Sequence, residues 1–310
     1  MHDFDSYRLL SIREPLRTCS CFLKSALIIA LLISCSRPTL GAPIVLSYYW
    51  PVAHGGEFDS GRRALNAVTH IDVLAGHIQE DPRAYAYWRS RGVTILNRVY
   101  PFRVFDQRKG GHVRLTTYED IYANFERNIK TADGISVDEL LGGGRGDVVD
   151  PERRDIMIRL LRDIRRKYPE KLLVVWGSSE WARPNVPLLQ AINRYCDFFV
   201  PQIYIPEREG RPDQFQRLGR DIDRLESQAT GISKTTLIGL GLHEKMRSVG
   251  STGFVNHIDD QLLHIFTDET LSKLPGVAFY APNFVDHETI LTLDARLGSM
   301  SKAGDQYKNH

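Results

Sequence analysis

The chain is 310 residues long, with 40 Lys and Arg against 38 Asp and Glu, a formal charge of +2, 25% charged and 42% hydrophobic residues. Such a composition excludes intrinsic disorder, a collagen-like repeat and a protein of many membrane spans. The nearly balanced charge gives no field to gather phosphates, and no basic stripe interleaved with aromatics occurs, so nucleic acid is not an expected partner.

Residues 25 to 35 read Ser-Ala-Leu-Ile-Ile-Ala-Leu-Leu-Ile-Ser-Cys, preceded by Arg13, Arg17 and Lys24 and followed by Arg37-Pro38. This is the layout of a secretory signal, and about 11 apolar residues fall short of the roughly 20 that span a bilayer. Two cleavage sites fit it. Thr39-Leu40-Gly41 offers small residues to an ordinary signal peptidase, whereas Leu32-Ile33-Ser34-Cys35 resembles a bacterial lipobox, which would leave a lipidated Cys35 as a membrane attachment. The expected organisation is therefore an export signal over residues 1–41, one domain over 42–298 and a polar tail over 299–310. Of the four cysteines only Cys196 lies in the folded part, so no intrachain disulfide is expected there, and its apolar neighbours Phe198, Phe199 and Val200 mark a buried thiol.

From residue 44 onward short apolar runs alternate with amphipathic or capped helical stretches. The predicted strands are Ile44–Tyr49, Ile71–Gly76, Val93–Arg98, Gly134–Glu139, Leu172–Gly177, Phe198–Tyr204, Thr236–Gly241 and Gly276–Ala281. Their starts recur about every 33 residues, the size of a βαβ unit. Runs this continuously apolar are buried on both faces, as parallel strands are. Helix signals fall between them. Asp81-Pro82 opens one helix and Gly92 closes it, Thr116 and Glu119 form a capping box ahead of Ile121, Phe125 and Ile129, and Asp150-Pro151 opens a third with Ile156, Leu160, Ile164 and Tyr168 four residues apart. The arginines of that third helix read as a solvated outer face. Eight strand–helix units without a linker predict an α/β fold, a single-domain (β/α)8 TIM barrel; an open doubly wound sheet is the alternative, without its usual G-x-G-x-x-G or Walker loop.

In such a barrel the site is built where the strands end. Those ends carry Tyr48, Tyr49 and Trp50; His77; Asn97, Arg98 and Tyr100; Asp138 and Glu139; Trp176, Ser178 and Glu180; Gln202 and Tyr204; His243 and Glu244; and Tyr280 with Asn283. Aromatic rings stack on the apolar faces of a sugar, amides and phenols take up its hydroxyls, and paired carboxyls can cleave a glycosidic bond. Asp138, Glu139 and Glu244 are thus the catalytic candidates, and Tyr48, Trp50, Asn97, Trp176, Gln202, Tyr204, Tyr280 and Asn283 the substrate-binding ones. Tyr48, Trp50 and Trp176 have packing of the barrel top as the competing role.

The segment Asp133-Gly134-Ile135-Ser136-Val137-Asp138-Glu139 resembles the strand-four motif of TIM-barrel glycoside hydrolases, in particular D-G-I-D-I-D-W-E of the family-eighteen chitinases, and Gln202-Ile203-Tyr204 is similar to their Tyr-bearing segment. The resemblance implies a carbohydrate substrate. Aligned directly, Asp133 and Asp138 match chitinase aspartates, Ser136 replaces a third, Leu140 stands at the catalytic glutamate, and Glu139 comes one residue early. A second layout is that of the large retaining glycosidase clan, with an acid/base Glu ending strand four and a nucleophilic Glu ending strand seven. Glu139 and Glu244 occupy those ends, with Asp138 where that clan has Asn. The alternative to an enzyme is a barrel that binds glycan without turning it over.

Other chemistries lack their signatures. His243-Glu244-Lys245-Met246-Arg247 does not continue as H-E-x-x-H, no G-x-S-x-G elbow occurs, and Gly142-Gly143-Gly144-Arg145-Gly146 lacks the Lys-Ser/Thr of a phosphate loop. Neither a metal nor another cofactor is expected.

Overall fold

The computed structural model describes residues 43–49, 68–76, 78, 81–106, 110–140, 150–177, 185–209, 212–248, 253–281 and 285–307. The expected export signal with Cys35, and the candidates Trp50 and Asn283, lie outside them.

Strands β1 (Ile44–Tyr49), β2 (Val73–Gly76), β3 (Thr94–Val99), β6 (Gly134–Val137), β7 (Leu172–Gly177), β8 (Phe198–Pro201), β9 (Leu237–Gly241) and β10 (Gly276–Tyr280) are parallel, in the order β8-β7-β6-β3-β2-β1-β10-β9. A bridge between Phe199 and Thr236 joins the two ends, which makes a nearly closed eight-stranded barrel. Helices α1 (Pro82–Ser90), α2 (Tyr118–Lys130), α3 (Pro151–Lys167), α4 (Val186–Tyr195), α5 (Pro212–Gln228), α6 (Phe254–Thr267) and α7 (His287–Tyr307) complete a single-domain (β/α)8 barrel. β4 (Arg103–Asp106) and β5 (Gly111–Arg114) form an antiparallel hairpin after β3, which the sequence reading left unassigned.

Alternation along the strands creates two cores. Leu46, Tyr48, Val73, Ala75, Leu96, Val174, Trp176, Val200, Leu237 and Ala278 fill the barrel interior. Their neighbours, among them Val45, Leu74, Ile95, Ile135, Val175 and Phe199, pack outward on the helices with Trp88, Phe125, Leu160 and Ile258. Cys196 is buried in this outer layer.

The helix starts follow local chemistry. The Asp81 carboxylate accepts from the Ala84 N–H and Asp150 from the N–H groups of Glu152 and Arg153, each ahead of a proline. For α2 the cap is Thr117, one residue later than predicted: its hydroxyl accepts from the Asp120 N–H and donates to the Asp120 carboxylate, so the reciprocal pair is Thr117–Asp120. Gly92 closes the turn after α1 at φ +76°, a backbone open to glycine at little cost. α7 runs on to Tyr307, past the point at which a polar tail was expected.

The end of the barrel away from the site is tied by a recurring device. Asp72, Asp133 and Asp197 each stand just before a strand and accept the N–H of Val45, Ile95 and Leu173, respectively, at 2.7 to 2.9 Å on the neighbouring strand. Asp133 also pairs with Arg89 at 2.5 Å. This aspartate of the glycosidase-like motif is therefore engaged in fastening strands. Gly134 beside it allows close contact: a Cβ there would lie 1.9 Å from the Leu172 carbonyl oxygen.

Candidate active site

The inward pleat of β6 carries Gly134, Ser136 and, one step beyond the strand, Asp138. Register places Arg98 of β3 beside Ser136. The Ser136 hydroxyl sits 3.2 Å from the Tyr48 hydroxyl and receives the Trp176 Nε1–H at 3.0 Å, so a neutral three-way contact occupies the level at which the chitinase motif has a further carboxylate. Above it, Asp138 Oδ2 takes both Arg98 Nε at 3.1 Å and Nη2 at 2.5 Å. The two side chains are 2% and 6% exposed. Removed from water as they are, the charges depend on each other for compensation.

The other Asp138 oxygen accepts the N–H of Glu139 at 2.9 Å. Glu139 has φ +49°, a left-handed backbone that a residue with a Cβ adopts at a cost of roughly 1–2 kcal/mol. An ideal strand would have turned this side chain toward the helices. The bend brings it instead to the wall of a cavity of about 230 Å³ shared with Tyr100, Arg103, His112, Arg114 and Arg153. There the carboxylate pairs with Arg103 at 2.6 Å and remains one-third exposed. Leu140, at the chitinase glutamate position, is 1% exposed and belongs to the outer core.

Tyr100 lies between two guanidinium groups, Arg98 at 4.6 Å and Arg103 at 4.2 Å from its ring centre. Burial pushes its hydroxyl up to about 12, opposed by Arg98. Burial likewise drives Tyr48 and Tyr204 well above the ordinary tyrosine range and raises Tyr280, with the Asp138 charge adding in each case. These phenols are neutral at any working pH and can act as hydrogen-bond donors. Tyr204 stacks on Tyr280 at 5.9 Å, and His243 meets both ring edges at 5.8 and 5.9 Å. Burial, with Lys245 nearby, holds His243 below the usual histidine value.

Of the residues singled out from sequence, Asp138, Glu139, Tyr204 and Tyr280 thus gather at one end of the barrel. The backbone N–H of Gln202 donates to the Gly177 carbonyl at the end of β7, which holds its backbone at the same end of the barrel. Tyr48 and Trp176 are completely buried, rings 4.7 Å apart, and form the floor under the site. The structure does not bring Asn97 to the rim. It sits on the outward pleat of β3, where its Nδ2 donates to the Asn128 carbonyl at 2.7 Å and the Thr131 hydroxyl at 2.8 Å, tying the strand to α2. Glu244 begins an exposed 3₁₀ turn after β9, and the residue of that segment that faces the aromatic cluster is His243. Sequence reasoning gave no role to Arg98, Arg103 or Ser136. The first and last could have been found by counting inward every second residue from Leu96 and from Asp138. Among the described residues no three Asp, Glu, His or Cys side chains converge as a metal site requires.

Solved structures share this architecture. An endo-β-N-acetylglucosaminidase from Cordyceps militaris aligns over 89% of this chain and 95% of its own with a TM-score of 0.52 and 13% identity. What the two share is the (β/α)8 barrel fold. A GH18 chitinase from Pseudoalteromonas aurantia covers 82% of this chain and 99% of its own (TM-score 0.55, 10% identity), and the Bacillus megaterium QM B1551 spore cortex-lytic enzyme SleL 84% and 75% (0.53, 12%). No family model and no curated protein matches the sequence. At identities of 10% to 13%, these structures show that the chain shares their barrel fold.

Proposed function

We propose that this glycosidase-like barrel is an exported enzyme that hydrolyses glycosidic bonds of a polysaccharide or glycoconjugate, with Glu139 as the acid/base carboxyl. The observation that carries the reading is the left-handed backbone at Glu139, which turns the carboxyl out of the strand and into the cavity. Backbone strain persists where the surroundings over-determine it, and here Asp138 supplies the constraint. Asp138 is then a positioning residue: Arg98 fixes its carboxylate, and that carboxylate fixes the bend. Glu244, on its turn after β9, is the proposed second carboxyl, as a nucleophile or base. Tyr100, Gln202, Tyr204 and Tyr280, with Trp50 and Asn283, are the proposed sugar contacts, over the floor of Tyr48 and Trp176.

That structural neighbours include an endo-β-N-acetylglucosaminidase and a chitinase supports a carbohydrate substrate. The burial of Leu140 and the neutral Ser136 argue against the substrate-assisted chitinase arrangement, which needs a glutamate at the former position. They also favour a second reading, a barrel that binds glycan and does not cleave it. Release of reducing ends from a panel of polysaccharides separates the two. Turnover by the wild type that falls by roughly 10²–10⁴-fold in Glu139→Gln supports the assignment; turnover unchanged in that variant refutes it, and binding without turnover leaves the second reading.

A further inference from the structure

The β4–β5 hairpin leaves the barrel directly after β3, at the end that holds Glu139. Its antiparallel register sets Arg103 opposite Arg114 and Phe105 opposite His112, so all four share one face. Like charges directly opposite one another destabilise a ladder. Glu139 compensates one of them, Arg103, whereas Arg114 is exposed and has no ion-pair partner among the described residues. The Nε–H of Arg103 is buried with no hydrogen-bond partner among those residues. On the same face Phe105 is 58% exposed, the most exposed large apolar side chain among the described residues. It meets His112 edge-on at 5.5 Å, and His112 meets Tyr100 at 6.4 Å, so a line of rings runs from the hairpin to the Glu139 cavity.

A surface that pairs an exposed ring with a guanidinium group lacking an ion-pair partner among the described residues suits a ligand with an apolar face and an anionic substituent. We propose that this face is a subsite for an anionic sugar residue, one bearing a carboxylate or a sulfate, in which the ring stacks on Phe105 and the anion is held by Arg114. The proposal rests on the glycosidase reading and names its substrate class.

The test measures binding of the purified protein to oligogalacturonate and hyaluronan oligosaccharides (carboxylates), a sulfated dextran oligosaccharide (sulfate), a neutral chitin oligosaccharide, and oligo(dT) as a polyanion that is not a glycan. An anionic glycan should bind at least about tenfold tighter than the neutral one and weaken as salt is raised. Arg114→Gln should reduce that affinity about tenfold, Arg114→Lys should restore part of it, and Phe105→Ala should weaken every glycan that binds. Which anionic arm responds distinguishes carboxylate from sulfate. Equal binding of neutral and anionic glycans, or an Arg114→Gln variant that binds like the wild type, overturns the subsite and leaves the glycosidase reading standing. Oligo(dT) bound more tightly than any glycan also overturns it. Absence of binding to every glycan overturns both.

Discussion

The Arg98–Asp138 pair offers a quantitative test of how the site is held. Both side chains are almost fully buried, and a single Asp138 oxygen receives two N–H groups from Arg98. Arg98→Met leaves a buried carboxylate and Asp138→Asn a buried guanidinium without its counter-charge. Each should cost about 3–5 kcal/mol, lowering the melting temperature by on the order of 10 °C in a barrel of this size. The double variant carries neither charge, and the Asn carbonyl still accepts the Glu139 N–H, so it should lie within about 1.5 kcal/mol of the wild type. The loss of guanidinium stacking on Tyr48 and Tyr100 is common to the Arg98 single and the double and drops out of the comparison. Urea unfolding of the four proteins with equal slopes should thus give a coupling above about 2 kcal/mol. If the two single losses simply add in the double, the charges are independent and Asp138 is not what holds the Glu139 bend.

Glu139→Gly should abolish turnover and leave stability equal or raised by up to about 1 kcal/mol, because glycine relieves the positive φ while forfeiting a part-exposed ion pair; a clear loss in urea unfolding would show that the backbone there is not strained. Gly134→Ala should cost more than about 3 kcal/mol or prevent folding, since the new methyl collides with the Leu172 backbone; soluble, normally melting protein would refute the close approach. His243 is held below 6.5 by burial, so its contribution to stability is fully present above that pH and is lost as pH falls below it toward the folded value; between pH 5 and 7.5 the wild type should lose stability more steeply than His243→Gln, and parallel curves would refute this. Cys35→Ser should move the protein from the membrane fraction to the soluble exported fraction if Cys35 is lipidated, and a mature protein beginning at Ala42 with no added lipid mass would exclude the anchor.

The barrel was legible because its signal is repetitive and apolar: Leu172–Gly177 is an unbroken apolar run and Ile44–Tyr49 is interrupted only by Ser47, and the predicted bounds of both coincide with the observed ones. Gly134 and the strand-four acids were also visible, since residue type and position agreed. What was lost depended on which side of the strand a residue faces. Asn97 drew attention as an amide near a strand end, but one residue decides between rim and helix layer, and Arg98 next to it took the inward place. The hairpin escaped notice because Arg103-Val-Phe-Asp and Gly111-His-Val-Arg are too short and polar to stand out, and the intervening Gln107-Arg108-Lys109-Gly110 offers a single turn-favouring residue, Gly110. The bend at Glu139 has no local sequence signature; the contacts proposed to hold it join Asp138 to Arg98, forty residues away in the chain.

The way the barrel closes has a mechanical consequence. Seven of its eight junctions are continuous ladders, while β8 and β9 meet through the Phe199–Thr236 bridge. Such a cylinder resembles a split ring, stiff around most of its circumference and compliant at one slit. Tyr204 follows β8 and His243 follows β9, so the two walls of the aromatic cluster stand on opposite lips of that slit. Widening it by a small amount separates these rings without breaking a ladder, whereas the Arg98–Asp138 clasp lies on the stiff arc between β3 and β6. The aromatic walls proposed to grip a sugar are thereby free to yield, and the clasp proposed to aim the Glu139 carboxyl is not.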